Sequence, residues 1–240
     1  MRFKDIYYKL GGKKGSFLQR QWSRYVSFKL ERQQRLLLQR NGLDALKAMT
    51  SACEEMGVSF GLEFGTMLGA FREKGFIKFD DDIDLSMMAV DCTRDFENVL
   101  LKYGFYKKRA FYLNTINKEG EKIKKITELA LNFKGLQVDI FFNYPTEDSS
   151  SRIIYVYCNP VVEDQMTVRK FTLPLELDDF RVNVKGEYFN VYSNPHSTLS
   201  LIYGEDFMTP KENANATKNK NSVVKVLDIQ SNYGTAYILE

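Results

Sequence analysis

Gly65-Thr66-Met67-Leu68-Gly69-Ala70-Phe71-Arg72-Glu73-Lys74-Gly75-Phe76-Ile77-Lys78-Phe79-Asp80-Asp81-Asp82-Ile83-Asp84 places a glycine-led turn shortly before four aspartates in five positions. Val58 to Phe64 reads as a short strand, Gly65-Thr66 opens a brief helix that ends near Gly75, and Phe79 to Met87 reads as a second strand. Side chains two apart on a strand share a face, so Asp80, Asp82 and Asp84 are expected to project together. Asp81 and Ile83 are expected on the opposite side, with Ile83 in the core. Carboxylates crowded in this way repel one another unless a cation lies between them. Mg²⁺ or Mn²⁺ fits that need, because hard cations take oxygen ligands and leave room for water and substrate phosphate.

A further ligand is expected from a neighbouring strand. Asp139 is an acid inside the apolar run Leu136-Gln137-Val138-Asp139-Ile140-Phe141-Phe142, where a buried carboxylate is costly without a partner. Gly65 and Thr66 sit where a strand turns into a helix, and backbone N–H groups at such a turn attract anions. Arg72 and Lys74 lie between the two elements and are expected to hold phosphate oxygens. An EF-hand would need glycine and glutamate at the sixth and twelfth loop positions. Counting from Asp80 these are Leu85 and Asp91, so that reading fails. An Asp-x-Asp motif of a sugar-nucleotide glycosyltransferase stays open, and so does a solvated acidic loop.

Elsewhere the chain alternates helices and strands. A basic amphipathic helix, or two, is expected over residues 17–40, with Phe17, Leu18, Trp22, Tyr25, Val26 and Leu30 at helical spacing. A second helix is expected from about Gly42 to Met56, and a third from an Asp91 N-cap to Gly104. Strands are expected at 105–113, 123–133, 136–142, 153–158 and 168–173, with late ones at 223–229 and 237–239. Asn194-Pro195 starts a last helix through Tyr203. Residues 211–221 read as a mobile loop. This pattern argues an α+β mixed sheet with flanking helices. Three parts are expected: a basic helical extension over 1–40, a main domain over 41–210, and the loop with C-terminal strands over 211–240 packing on the same domain.

Charge is uneven. Residues 1–40 hold eleven Lys/Arg against Asp5 and Glu31, a net +9 within an overall +3, so the remaining residues carry −6. The basic segment either packs its apolar side on the domain or lies on anionic lipid with Trp22 and Tyr25 near the interface. Nucleic acid is not expected as a partner, because no reader motif accompanies the charge and the remainder is acidic. Cys53, Cys92 and Cys158 are far apart, so neither a zinc knuckle nor a disulfide framework is suggested and a reducing compartment fits. His196 is the single histidine, which argues against Ser-His-Asp and Cys-His chemistry. Behind Pro195 it reads as a surface or helix-start residue. No apolar run approaches the ~20 residues of a membrane span, and the N-terminus is not expected to be a secretory signal.

The stretch Leu62–Asp84 resembles the signature of the LicD family, which includes bacterial phosphocholine transferases and the fukutin-related proteins. Val138-Asp139-Ile140-Phe141 resembles its second motif, and Tyr203-Gly204-Glu205-Asp206-Phe207-Met208-Thr209-Pro210 its C-terminal element. The similarity spans roughly residues 40–210 and implies that the main domain over 41–210 is catalytic. It implies a polymerase-β-type nucleotidyltransferase-like fold. It also implies metal-dependent transfer of a phosphorylated alcohol (phosphocholine, phosphoethanolamine, glycerol- or ribitol-phosphate). The donor would be CDP-linked and the acceptor a hydroxyl of a glycan or lipid-linked oligosaccharide. By position, Asp82 and Asp84 match the metal-binding pair, Asp139 the third carboxylate, Asp80 an additional active-site acid, and Gly65-Thr66 the phosphate-side turn. A cytoplasmic location is expected, peripheral on the inner face of the membrane if the basic segment lies on lipid rather than packing on the domain. Transfer of an NMP group, or a non-catalytic role in a glycan-assembly complex, are the alternatives. The family commonly has Pro-Trp ahead of the aspartates and often proline after the position of Phe141; here Lys78-Phe79 and Phe142-Asn143 stand there.

Overall fold

Ser16 starts the first helix by accepting the Gln19 N–H on its hydroxyl at 3.2 Å, the usual service of a serine N-cap. The computed structural model describes residues 16–238 apart from 118, 163–164, 177, 211–222 and 230. The loop expected at 211–221 and the basic extension ahead of residue 16 therefore lie outside the described residues. Helix α1 runs without a break over Phe17–Met56 and stops at Gly57, whose left-handed φ of 65° lets its N–H cap Cys53 and Glu54. The two helices expected on either side of residue 41 are thus one. Gly42 is there for space rather than as a breaker: a Cβ on it would lie 2.6 Å from the Phe76 ring. The C-terminal half of α1 buries Leu38, Ala45, Leu46, Met49, Ala52 and Cys53 in the main core. Each fully buried Leu or Met side chain there contributes roughly 1.5–3 kcal/mol.

After α1 the chain forms β1 (Phe60–Leu62), α2 (Phe64–Glu73), β2 (Asp82–Met88), a 3₁₀ turn over Ala89–Asp91, and α3 (Arg94–Lys102). Thr93, not Asp91, caps α3 by accepting the Phe96 N–H at 3.2 Å. Then come β3 (Phe105–Ile116), β4 (Lys122–Phe133), β5 (Leu136–Pro145), β6 (Ser151–Val162) and β7 (Gln165–Pro174). The hairpin β8 (Phe180–Val184) and β9 (Glu187–Val191), α4 (Pro195–Tyr203), β10 (Val224–Val226) and β11 (Tyr233–Ile238) complete the described chain. His196 is exposed in the first turn of α4, as its neighbour Pro195 suggested.

The expected polymerase-β-type α+β sheet with flanking helices is overturned by the strand pairing. Strands β5, β4, β3, β11, β7 and β6 pair antiparallel in a ring and close a six-stranded barrel. Three further strands extend the same sheet: β2 runs parallel to β5, β1 pairs with β2, and β10 pairs with β7. Two physical features favour closure. Register shifts at Lys107/Arg109, Phe111/Tyr112 and Cys158/Val161 add twist, which curls long strands toward a barrel. Gly234 then lets β11 fit between β3 and β7, pairing with Leu113 on one side and Met166 on the other. A Cβ on Gly234 would lie 2.0 Å from the Tyr157 ring, so only glycine admits that approach.

Candidate functional site

The strand β1 hands over to α2 through a strained residue. Phe64 has φ 38°, a left-handed conformation that costs a bulky side chain of order 1–3 kcal/mol. Its ring is held edge-on by Phe141 at 5.2 Å and Phe171 at 5.3 Å, which locks the turn. The following residues grip the start of β2. The Gly65 N–H donates to Asp84 Oδ2 at 3.3 Å, and the Asp84 N–H donates to Thr66 Oγ1 at 2.9 Å. The turn therefore fixes Asp84 in place, a role that the sequence alone did not suggest.

Parallel pairing of β2 with β5 sets Asp84 directly beside Asp139, and Asp82 beside Gln137. Asp82, Asp84 and Asp139 each offer an oxygen within 4.8 Å of the others. Asp80, Asp81 and Asp82 form a second such group. Asp81 is thus not turned to the opposite side from its neighbours. The strand begins at Asp82, three residues later than its apolar pattern suggested, so the alternation rule does not reach Asp80 and Asp81. Ile83 is fully buried, as alternation within the strand requires.

The electrostatics are those of a charge-crowded, desolvated site. Burial, then the charges of Asp139, Asp80 and Asp81, push Asp82 up to about 8. Burial and then Asp81 push Asp80 up to about 6. Asp139 is pushed up to about 6 by burial, opposed by a hydrogen bond from Gln137 Nε2 at 2.7 Å and by Arg109. Asp84 is raised well above the usual carboxylate range by burial and then Asp82. Asp139 Oδ1 is buried with no hydrogen-bond partner among the described residues. An orphaned carboxylate oxygen beside two more carboxylates is what a divalent cation satisfies, so this donor set fits Mg²⁺ or Mn²⁺.

Several neighbours were missed from sequence. Glu128 on β4 lies diagonally across from Asp139, and its carboxyl is raised well above normal by burial and then by the Asp139 charge. Its signal was the one that singled out Asp139, an acid inside an apolar strand (Ile126-Thr127-Glu128-Leu129). Arg35 of α1 is the cation whose charge opposes the upward shifts of Asp80 and Asp81; its guanidinium lies over the Phe79 ring at 5.8 Å. Glu63, just ahead of the strained turn, is fully buried against Arg152 of β6 at 2.6 Å, with Ser86 and Asn143 completing the network. Arg72 donates to Glu73 at 2.6 Å and to the Phe207 carbonyl at 3.4 Å, tying α2 to the chain after α4. Lys74 is exposed in a left-handed cap, and its carbonyl accepts the Lys185 N–H at 2.8 Å.

A segment of 45 residues is 47% identical to the lipopolysaccharide cholinephosphotransferase LicD of Haemophilus influenzae, covering 19% of this chain and 17% of that protein. The family model described as "LicD/FKTN/FKRP, nucleotidyltransferase domain" matches residues 57–184, from the Gly57 cap of α1 to the end of β8. That match takes in the acidic cluster and Asp139 and covers more than half of the sequence, so the chain belongs to the LicD/FKTN/FKRP family.

Proposed function

We propose that the protein transfers a phosphorylated alcohol from a CDP-activated donor to a hydroxyl of a glycan or its lipid-linked precursor. The observation that carries this reading is the convergence of Asp82, Asp84 and Asp139 within 4.8 Å, beside a buried oxygen of Asp139 that has no partner among the described residues. Family membership supports the phospho-alcohol class, and the cholinephosphotransferase relative supports phosphocholine among the head groups. Asp82, Asp84 and Asp139 would hold Mg²⁺ or Mn²⁺, which when bound supplies neutralisation of the donor diphosphate and of charge growing on the departing CMP.

The remaining work falls to the chain's own groups. Asp80, with its proton affinity raised toward neutrality, accepts the proton of the attacking hydroxyl. The acceptor oxygen forms a bond to the phosphorus that carries the alcohol, the bond from that phosphorus to the CMP oxygen breaks, and CMP leaves with the electron pair. Gly65 and Thr66 hold Asp84 against the cluster. Arg35 supplies positive charge beside Asp80 and Asp81, on the side where Phe79 is exposed.

The test is a donor screen with Mg²⁺ and a glycan acceptor, following CMP release from CDP-choline, CDP-ethanolamine, CDP-glycerol and CDP-ribitol. One donor should be consumed, and Asp82→Asn or Asp84→Asn should abolish turnover. Appearance of an NMP group on the acceptor, with all four donors intact, would instead make the protein a nucleotidyltransferase.

A further inference from the structure

Helix α1 is 40 residues long, yet its two halves have different surroundings. None of the described side chains over 17–33 is buried, and the first buried side chain described in α1 is Leu38. At 1.5 Å per residue, about 25 Å of helix precedes the part that packs on the domain. The stripe that enters the core, Leu38-Ala45-Met49-Ala52, continues back along the helix as Gln34, Glu31, Ser27, Arg24 and Arg20. The side of α1 that faces the core therefore turns polar in the N-terminal half. Phe17 (66% exposed), Tyr25 (57%), Phe28 (61%) and Leu36 (66%) fall instead on one arc, roughly 120° around the axis from that stripe. This second apolar arc cannot reach the core that the first one fills.

The same half of the helix is basic. Over residues 17–33, Arg20, Arg24, Lys29 and Arg32 stand against Glu31, a net +3. Arg32 lies within the aromatic arc and Lys29 and Arg24 flank it. A second copy of this helix would bring like charge against like charge, which opposes self-association. An oligonucleotide would satisfy the cations but leave Phe17, Phe28 and Leu36 against water. An anionic bilayer surface satisfies both sets: aromatic rings enter the headgroup boundary, while Arg and Lys extend along it to lipid phosphates.

We infer that the N-terminal half of α1 is a membrane-docking element that lies on anionic lipid through the Phe17/Tyr25/Phe28/Leu36 arc and its flanking cations. This goes beyond the catalytic reading and stands without it, because vesicle binding requires no turnover. The full chain is floated with vesicles of phosphatidylcholine alone and of phosphatidylcholine with about 30 mol% phosphatidylglycerol. Binding is expected to the anionic vesicles only, and to fall at least tenfold when salt rises from about 0.1 to about 0.5 M. Tyr25→Ser with Phe28→Ser should cut it about tenfold or more, and so should Arg20→Glu with Arg24→Glu. Both pairs leave the melting temperature unchanged, because these side chains are not in the core. Equal retention on both vesicle types, binding that survives both double variants, or a shift to a dimer that Phe28→Ser dissolves would overturn the proposal. Salt-sensitive retention of a single-stranded oligonucleotide without vesicle binding would overturn it in favour of a nucleic-acid partner.

Discussion

Gly65 lies so close to Asp80 that a Cβ added to the glycine would stand 2.6 Å from Asp80 Oδ2. The backbone of the turn is therefore in contact with an acid of the cluster, and the absence of a side chain is what permits it. Gly65→Ala would push Asp80 aside rather than unfold the turn, since the atom met is the end of a side chain. A displacement of this kind at the proposed proton acceptor is expected to lower kcat by on the order of 100-fold. The melting temperature should change by no more than a few degrees. Parallel measurement of donor turnover and thermal unfolding checks this; a large loss of stability with normal turnover in the folded fraction would refute the assignment.

The Glu63–Arg152 pair is fully buried and separated by 89 positions in sequence. It joins the strained turn to β6 of the barrel, and Asn143 of β5 and Ser86 of β2 are tied into it. Removing one partner leaves an uncompensated charge in the interior, which costs about 3–5 kcal/mol. For a chain of this size that is a fall in Tm of roughly 6–20 °C. Glu63→Gln and Arg152→Met should each show it in a thermal melt, and the double variant should lose less than the sum. Additive losses would mean that the two side chains do not act as a pair.

Part of this arrangement was legible in the sequence and part was not, for reasons of range. The acidic cluster and Asp139 could be read because each depends on a few adjacent residues: carboxylates at close spacing, or one acid in an apolar run. The same cue was present at Glu128 and would have found it. Asp81 was misplaced because strand alternation was applied from Phe79, three residues before β2 begins. Barrel closure was out of reach because it depends on local register shifts and on Gly234 meeting both Leu113 and Met166 far away in the chain. Composition also says nothing of α1 passing straight through Gly42, where the reason for glycine is the Phe76 ring.

The crowded carboxylates make metal-free stability depend on pH in a defined direction. Asp82 is raised to about 8, and Asp80 and Asp139 to about 6, in the folded state. The native protein without metal thus holds protons that the unfolded chain has released above about pH 4. Stability is fully present below that value and is lost as pH rises through 6 and 8. Metal-free protein should lose on the order of 5 °C or more in Tm between pH 5 and pH 8, and Mg²⁺ or Mn²⁺ should restore it at pH 8. Asp82→Asn should flatten the fall, because it removes a charge that develops near pH 8. A Tm that climbs over this range in chelator would contradict the charge crowding.

Gln137 offers a way to weaken the proposed cation site without touching a carboxylate. Its amide donates to Asp139 Oδ2 at 2.7 Å, and that bond opposes the rise in the proton affinity of Asp139 caused by burial. It also orients the group so that the unpartnered Oδ1 is available to a cation. Loss of a hydrogen bond behind a ligand typically costs 10–100-fold in metal affinity. Gln137→Leu should therefore weaken Mn²⁺ binding by about that factor when titrated calorimetrically near pH 6, where the proton competes for Asp139. Near pH 8 the competition fades, so the gap between variant and parent should narrow to the orientational part alone. A gap that is equal at both pH values would mean that Gln137 acts only by aiming Asp139. No gap at either pH would remove Asp139 from the cation site.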